Sequence, residues 1–277
     1  MTYGSIPFLN DVIADDSHFI DYYVIKSDIY SDSQRLFIKD RMQKIWNVAY
    51  DTLCVDHSNV SISPYKTIDD EGDIIEDSTI TSAYSALSKI IDVESLLDTY
   101  LLNEIVQNMD IGYSSFYLSL DMSDSGNKKL TFQAPWDFDW CFGNSVQNIE
   151  KLYLGNYLEE EPNHEKSNPW LLLVSNSQWF WKMLQDKWNE IGWEKLRDDT
   201  ISMIETFTDQ YGIYIDKEYA KWTGKSNFIV WCSSDATLKA KTQKEDSVNV
   251  VSYLNHRFNA LDYYFEDLTR VSNSFIS

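Results

Sequence analysis

Between positions 110 and 139 the chain carries three carboxylates and one hydroxyl whose spacing could do chemistry: Asp110, Ser115, Asp137 and Asp139. Asp110 stands on the exit turn of a strongly apolar helical stretch. Asp137 and Asp139 lie in the run Pro135-Trp136-Asp137-Phe138-Asp139, directly after a strand-like segment. A carboxylate at the first position can take a proton from an attacking hydroxyl. A carboxylate at the second can hold a divalent cation, which prefers hard oxygen ligands. Together they suit phosphoryl transfer, where catalysis is mostly positioning and charge neutralisation. Two plainer readings stand beside this one. Asp is common in turns because its side chain bonds its own backbone. Two carboxyls flanking a cleft also describe a glycosidase, and an aromatic-rich chain would suit a sugar ligand.

Such groups must be held by rigid elements. Residues 18–30 read as a strand. Residues 33–54 read as a helix capped by Ser33, with Ile38, Met42, Ile45, Ala49 and Leu53 on one face. Residues 56–80 read as a polar, acidic loop. A second helix is expected over 92–109, capped near Asp92, with a broad apolar face that includes Val93, Leu97, Tyr100 and Leu101. A hairpin follows. Residues 115–120 alternate, the turn is Ser123-Asp124-Ser125-Gly126-Asn127, and residues 129–134 return with Leu130 and Phe132 inward. An acidic loop is expected over 145–168. Helices are expected at 169–176, 177–191, 193–217 and 246–267, with a polar link at 223–245. The class is therefore α+β, mainly α.

Composition narrows the function. The formal net charge of −21 argues against nucleic acid, which needs a basic face. It also favours a basic or neutral protein partner by electrostatic steering. The three cysteines, Cys54, Cys141 and Cys232, are isolated, which argues against a disulfide framework or a structural zinc site. No apolar run is long enough for membrane insertion as a helix. Met1 to Phe8 shows neither a basic nor an apolar leader region, so no signal peptide is read there.

The order of parts is that of protein kinases. A catalytic-loop Asp is followed five positions on by a metal-binding Asn, then a hairpin, then a metal-binding Asp. More specifically, the sequence resembles the CotH kinase family of spore-coat and secreted atypical kinases. Ile91 to Glu104 looks like its helix, and Asn108-Met109-Asp110 with Ser115-Phe116-Tyr117 like its catalytic loop. Ala134-Pro135-Trp136-Asp137-Phe138-Asp139 with Phe142-Gly143-Asn144 looks like its most recognisable motif. Asn168-Pro169-Trp170, Trp188, and Tyr253-Leu254 with Arg257, Leu261 and Asp262 also fit.

This resemblance implies ATP, Mg²⁺ or Mn²⁺, and transfer to Ser or Thr of a protein substrate. It makes Asp110 the base, Asp137 the main metal ligand with Asp139 close by, and Ser115 and Trp136 contacts to the nucleotide and its metal. Glu104 and Asn108 become supporting residues, against a plainer reading as helix surface and cap. It also suggests a spore coat or cell-surface setting. The expected layout is an N-lobe remnant over 1–30, a kinase-like C-lobe over 31–268 and a tail over 269–277. Two departures stand out. Ser115 occupies the place of the kinase Asn. The small lobe is largely missing, with Lys26 as its one candidate phosphate-contacting lysine, so the chain reads as if it begins partway through the domain. The remaining alternatives are an inactive remnant serving as a scaffold or surface protein, and a carbohydrate-active protein.

Overall fold

The computed structural model describes residues 5–7, 22–57, 64–112, 115–144, 148–154, 168–222 and 234–274. In chain order the elements are β1 (Ser5–Pro7), β2 (Tyr22–Val24), α1 (Asp32–His57), β3 (Tyr65–Ile68), β4 (Ile74–Asp77), α2 (Ala83–Ile90), α3 (Val93–Val106), a 3-10 turn (Asp110–Gly112), β5 (Tyr117–Leu120) and β6 (Leu130–Gln133). The helical half comprises α4 (Pro169–Ser175), α5 (Gln178–Ile191), α6 (Trp193–Trp222), α7 (Asp235–Lys239), α8 (Gln243–Glu266) and α9 (Thr269–Ser274). Among the described residues the strands form three antiparallel pairs, β1-β2, β3-β4 and β5-β6. The class is α+β and mainly helical, as the periodicities predict.

Two compact units divide the chain. The first holds Met1–Leu96 and Tyr117–Gln133; the second holds Leu97–Phe116 and Ala134–Ser277. The boundary falls inside α3.

In the first unit, Ile45, Trp46, Ala49 and Leu53 of α1 are buried, as their spacing requires. The cap of α1 is Ser31 rather than Ser33: its Oγ accepts from Gln34 N at 3.2 Å. The expected loop at 56–80 contains the β3-β4 hairpin instead, with Tyr65 opposite Asp77 and Ile68 opposite Ile74. Its acidic residues form the turn: Asp69 N donates to Asp73 O at 3.0 Å, and Gly72 takes the left-handed φ of 91°. Helix α2, which the sequence reading passed over, follows and is capped by Ser82, whose hydroxyl accepts from Ser85 N. The start of α3 is capped as expected, with Asp92 accepting from Ser95 N at 3.2 Å. The β5-β6 pair runs from Tyr117↔Gln133 to Leu120↔Leu130, with Leu130 and Phe132 buried. It joins the start of α3 through Asp92 N to Leu130 O at 2.9 Å and Phe132 N to Ser95 Oγ at 3.0 Å.

Of the strand expected at 18–30, residues 22–24 form β2 and residues 18–21 lie outside the described residues. Most of 145–168 and all of 223–233 also lie outside them. The polar link and tail are not wholly irregular, since α7 and α9 occupy parts of them.

The second unit is built on aromatic packing. Tyr100 of α3 meets Phe180 and Trp181 of α5 edge-on, at 5.1 and 5.6 Å between ring centroids. Trp188 stacks on Trp193 at 5.8 Å and touches Phe258 and Phe265 of α8. Asn168 caps α4, with Pro169 at its first position. The outer side of α6 presents Met203, Phe207, Tyr211 and Tyr214 to solvent, Met203 at 72% exposure. Among the described residues, no helix is long and apolar enough to cross a membrane.

Candidate active site

The site residues all belong to the second unit. They hang from the C-terminal end of α3. The helix stops with Gln107 in the left-handed region, at φ 50°. Asn108 N then reaches back to Asn103 O at 3.1 Å, which closes a Schellman-type end. Asn108 is buried, and its amide donates to Asn103 Oδ1 at 2.9 Å. Its Oδ1 accepts from Asp110 N at 3.0 Å. Asp110 is thus held by a chain of amides running back into the helix.

Asp110 is half-buried, and Ser115 Oγ donates to its Oδ2. The same hydroxyl lies 3.3 Å from Asp137 Oδ2. One serine oxygen therefore spans the two carboxylates that the sequence spacing set apart. Ser115 and Asp137 both hold left-handed backbone, at φ 54° and 63°, as do Ala134 and Phe142, at 49° and 56°. Non-glycine residues adopt this region at a cost of about 1–3 kcal/mol and gather at functional loops.

The loop from 134 to 144 is fastened on its far side. Phe142 N donates to Val106 O at 3.0 Å, an orphan carbonyl at the end of α3. Tyr253 of α8 donates its hydroxyl to Ile105 O at 2.8 Å and packs edge-on against Phe142. Gly143 has φ 81°, and a Cβ there would come within 2.9 Å of the Tyr253 ring. Glycine is required on both counts. Asn144 donates to Asp139 O at 2.5 Å, while its Oδ1 is buried with no partner among the described residues.

Charge is concentrated here and is of one sign. Burial raises the pKa of Asp139 above the usual carboxylate value, and the Asp137 and Asp110 carboxylates raise it further. The buried Cys141 thiol is pushed up by burial first and then by Asp139, Asp110 and Asp137. Trp136, within this loop, is 59% exposed. Lys26 is exposed in the first unit. Among the described residues, no three His, Cys, Asp or Glu side chains converge in a metal-holding arrangement.

Glu104 is neither helix surface nor cap. It and Arg257 are fully buried and paired at 2.6 Å. Arg257 places all its N–H groups: on Glu104 Oε1, on Glu104 O twice, on Ile149 O and on Lys151 O. The Glu104 carboxylate in turn accepts from Tyr153 N at 2.5 Å and Leu154 N at 2.9 Å. This pair fixes α8 and the 148–154 strip to the same end of α3 that carries Asp110.

A family model described as CotH kinase protein matches residues 15–261. The chain belongs to the CotH kinase family. The search of the curated proteins and the search of the solved structures each found no match. The CotH match contains Asp110, Ser115, the Pro135–Asp139 run, Glu104 and Arg257. Asn103 and Asn144 stand inside the helix and motif segments that carry the family resemblance, but sequence reasoning assigned neither a role; in the structure Asn103 Oδ1 accepts from the Asn108 amide and the Asn144 amide donates to Asp139 O. Their neighbours Asn108 and Gly143 were the available signals, lying just past a helix and just past the acidic run.

Proposed function

We propose that this CotH-family chain is a kinase that transfers the γ-phosphoryl group of ATP to Ser or Thr of a protein substrate. The observation that carries the reading is the Ser115 hydroxyl shared between Asp110 and Asp137. It brings a carboxylate suited to proton abstraction next to one suited to a metal, in the order of parts that kinases use.

The donor set suits Mg²⁺ or Mn²⁺. Its ligating atoms are carboxylate and hydroxyl oxygens, and the charges that raise the Asp139 pKa are negative. Mg²⁺ is ordinarily held by one or two carboxylates together with waters and substrate phosphates, so a complete protein cage is not needed. Asp137 would be the main ligand, with Asp139 beside it and Ser115 and Trp136 toward the nucleotide. The bound cation would neutralise charge on the phosphates. Asp110 would accept the proton of the substrate hydroxyl, and Asn108 would hold Asp110 in place. Residues 31–268 would form the kinase-like lobe. A net charge of −21 favours a basic protein substrate.

Isothermal titration of ATP with Mg²⁺ or Mn²⁺, on the wild type and on Asp137→Ala, tests this reading. Metal-dependent binding that disappears in the variant is expected. Absence of binding in the wild type would overturn the proposal in favour of a non-catalytic scaffold that keeps the family fold.

A further inference from the structure

We propose that Ser115 is itself a phosphoryl acceptor, so that the chain modifies its own active site. The inference rests on the kinase reading above and goes beyond it by naming an acceptor within this chain.

Three observations converge on this serine. Its hydroxyl already donates to Asp110 Oδ2, the relation a nucleophile must have with its general base. The same oxygen is 3.3 Å from Asp137 Oδ2, the carboxylate assigned to the metal side of the site. The side chain is half-buried, so it is open to a reactant. The asparagine that kinases carry at this position could ligate a cation but offers no hydroxyl. Serine here supplies both an oxygen ligand and an acceptor.

The step balances without any further reactant. Ser115 Oγ forms a bond to the γ-phosphorus of ATP as its proton passes to the Asp110 carboxylate. The bond from the γ-phosphorus to the β–γ bridging oxygen breaks, and the electron pair leaves with ADP. The product carries about −1.5 to −2 charges at pH 7. It stands between Asp110 and Asp137, in reach of both. It would add acceptor oxygens on the cation side and crowd the base, so the modified chain should transfer phosphate to a protein substrate more slowly than the unmodified one.

The full chain is incubated with ATP and Mn²⁺ and read by intact mass and peptide mapping, with ATP binding titrated on the same wild-type sample. One phosphate per chain at Ser115 is expected, at a rate independent of protein concentration. Ser115→Ala should carry none, and Ser115→Thr should be phosphorylated at the same position, with far-UV circular dichroism confirming that both are folded. Asp110→Asn should slow the modification roughly 10²–10⁴-fold, the usual contribution of a general base. ATP binding without phosphate at Ser115 would overturn this inference and leave the kinase reading intact. Phosphate on Ser114 or elsewhere, or a rate that rises with protein concentration, would also overturn it. Absence of ATP binding would remove the kinase reading, and this one with it.

Discussion

Replacing Arg257 by methionine should be among the most damaging single changes in the second unit. Methionine keeps much of the length and apolar volume of the stem but removes every donor. Five hydrogen bonds are lost, to Glu104 O twice, Glu104 Oε1, Ile149 O and Lys151 O. The Glu104 carboxylate remains fully buried, held among the described residues by Tyr153 N and Leu154 N. Breaking one partner of a buried pair typically costs about 3–5 kcal/mol, since the other charge is stranded. At roughly 2–4 °C per kcal/mol for a chain of this order of size, the midpoint should fall by roughly 6–20 °C. Urea and thermal denaturation followed by circular dichroism would measure it. A double change, Glu104→Leu with Arg257→Met, removes both charges and should recover part of the loss. If Arg257→Met costs under about 1 kcal/mol, or the double variant is worse than the sum of the two singles, the reasoning about the buried pair is wrong.

Three further outcomes follow from the same geometry. Gly143→Ala should destabilise by about 1–3 kcal/mol and weaken metal-dependent ATP binding, because the new Cβ meets the Tyr253 ring at 2.9 Å and φ is 81°; denaturant midpoints and ATP titration would check both. Asp139→Asn should raise the melting temperature of the metal-free protein at neutral pH. The raised pKa of Asp139 means that the neutral carboxyl favours the fold at low pH and that this advantage is lost as pH rises through the folded value, so the gain should shrink toward acid. Tyr219, pushed up to about 12 by burial and Asp246, and Tyr100, Tyr253 and Tyr264, also raised chiefly by burial, should ionise late in an ultraviolet titration. Their neutral forms favour the fold fully below about pH 10, and that contribution is lost as the pH rises through the folded values.

Where an element is long and one face is apolar, the sequence showed it. Helices α1, α3 and α8 bury most of the residues that their periodicity selects, among them Ile45, Leu97 and Phe258, while Ile38 and Met42 of α1 are only half-buried. The β5-β6 hairpin was legible from its alternation and its turn residues. Strands β3 and β4 were hidden because each has four residues and an acidic turn between them, which on composition alone reads as loop. Helix α2 has eight residues, too few for a periodicity to declare itself. In the candidate site, the approach of Asp110 to Asp137 was legible from the order of helix, hairpin and acidic run. Their junction at Ser115 was not, because serine and aspartate give no sequence sign of left-handed backbone. For Glu104 the residues alone left a supporting role and plain helix surface both open, because its partner Arg257 lies on another helix far along the chain and no local pattern links them.

The row of Met203, Phe207, Tyr211 and Tyr214 on α6 is exposed apolar surface that another copy of the chain would meet. Near neutral pH the net charge of −21 makes encounters between two chains repulsive at long range, which opposes contact between one such row and another. That protection weakens with salt, as the Debye length shrinks to about 3 Å at 1 M. It vanishes near the sequence pI of about 4.4, where a folded chain would still offer the same oily ridge. Clouding of the protein in mild acid should therefore come before unfolding, and should reverse when the pH is restored.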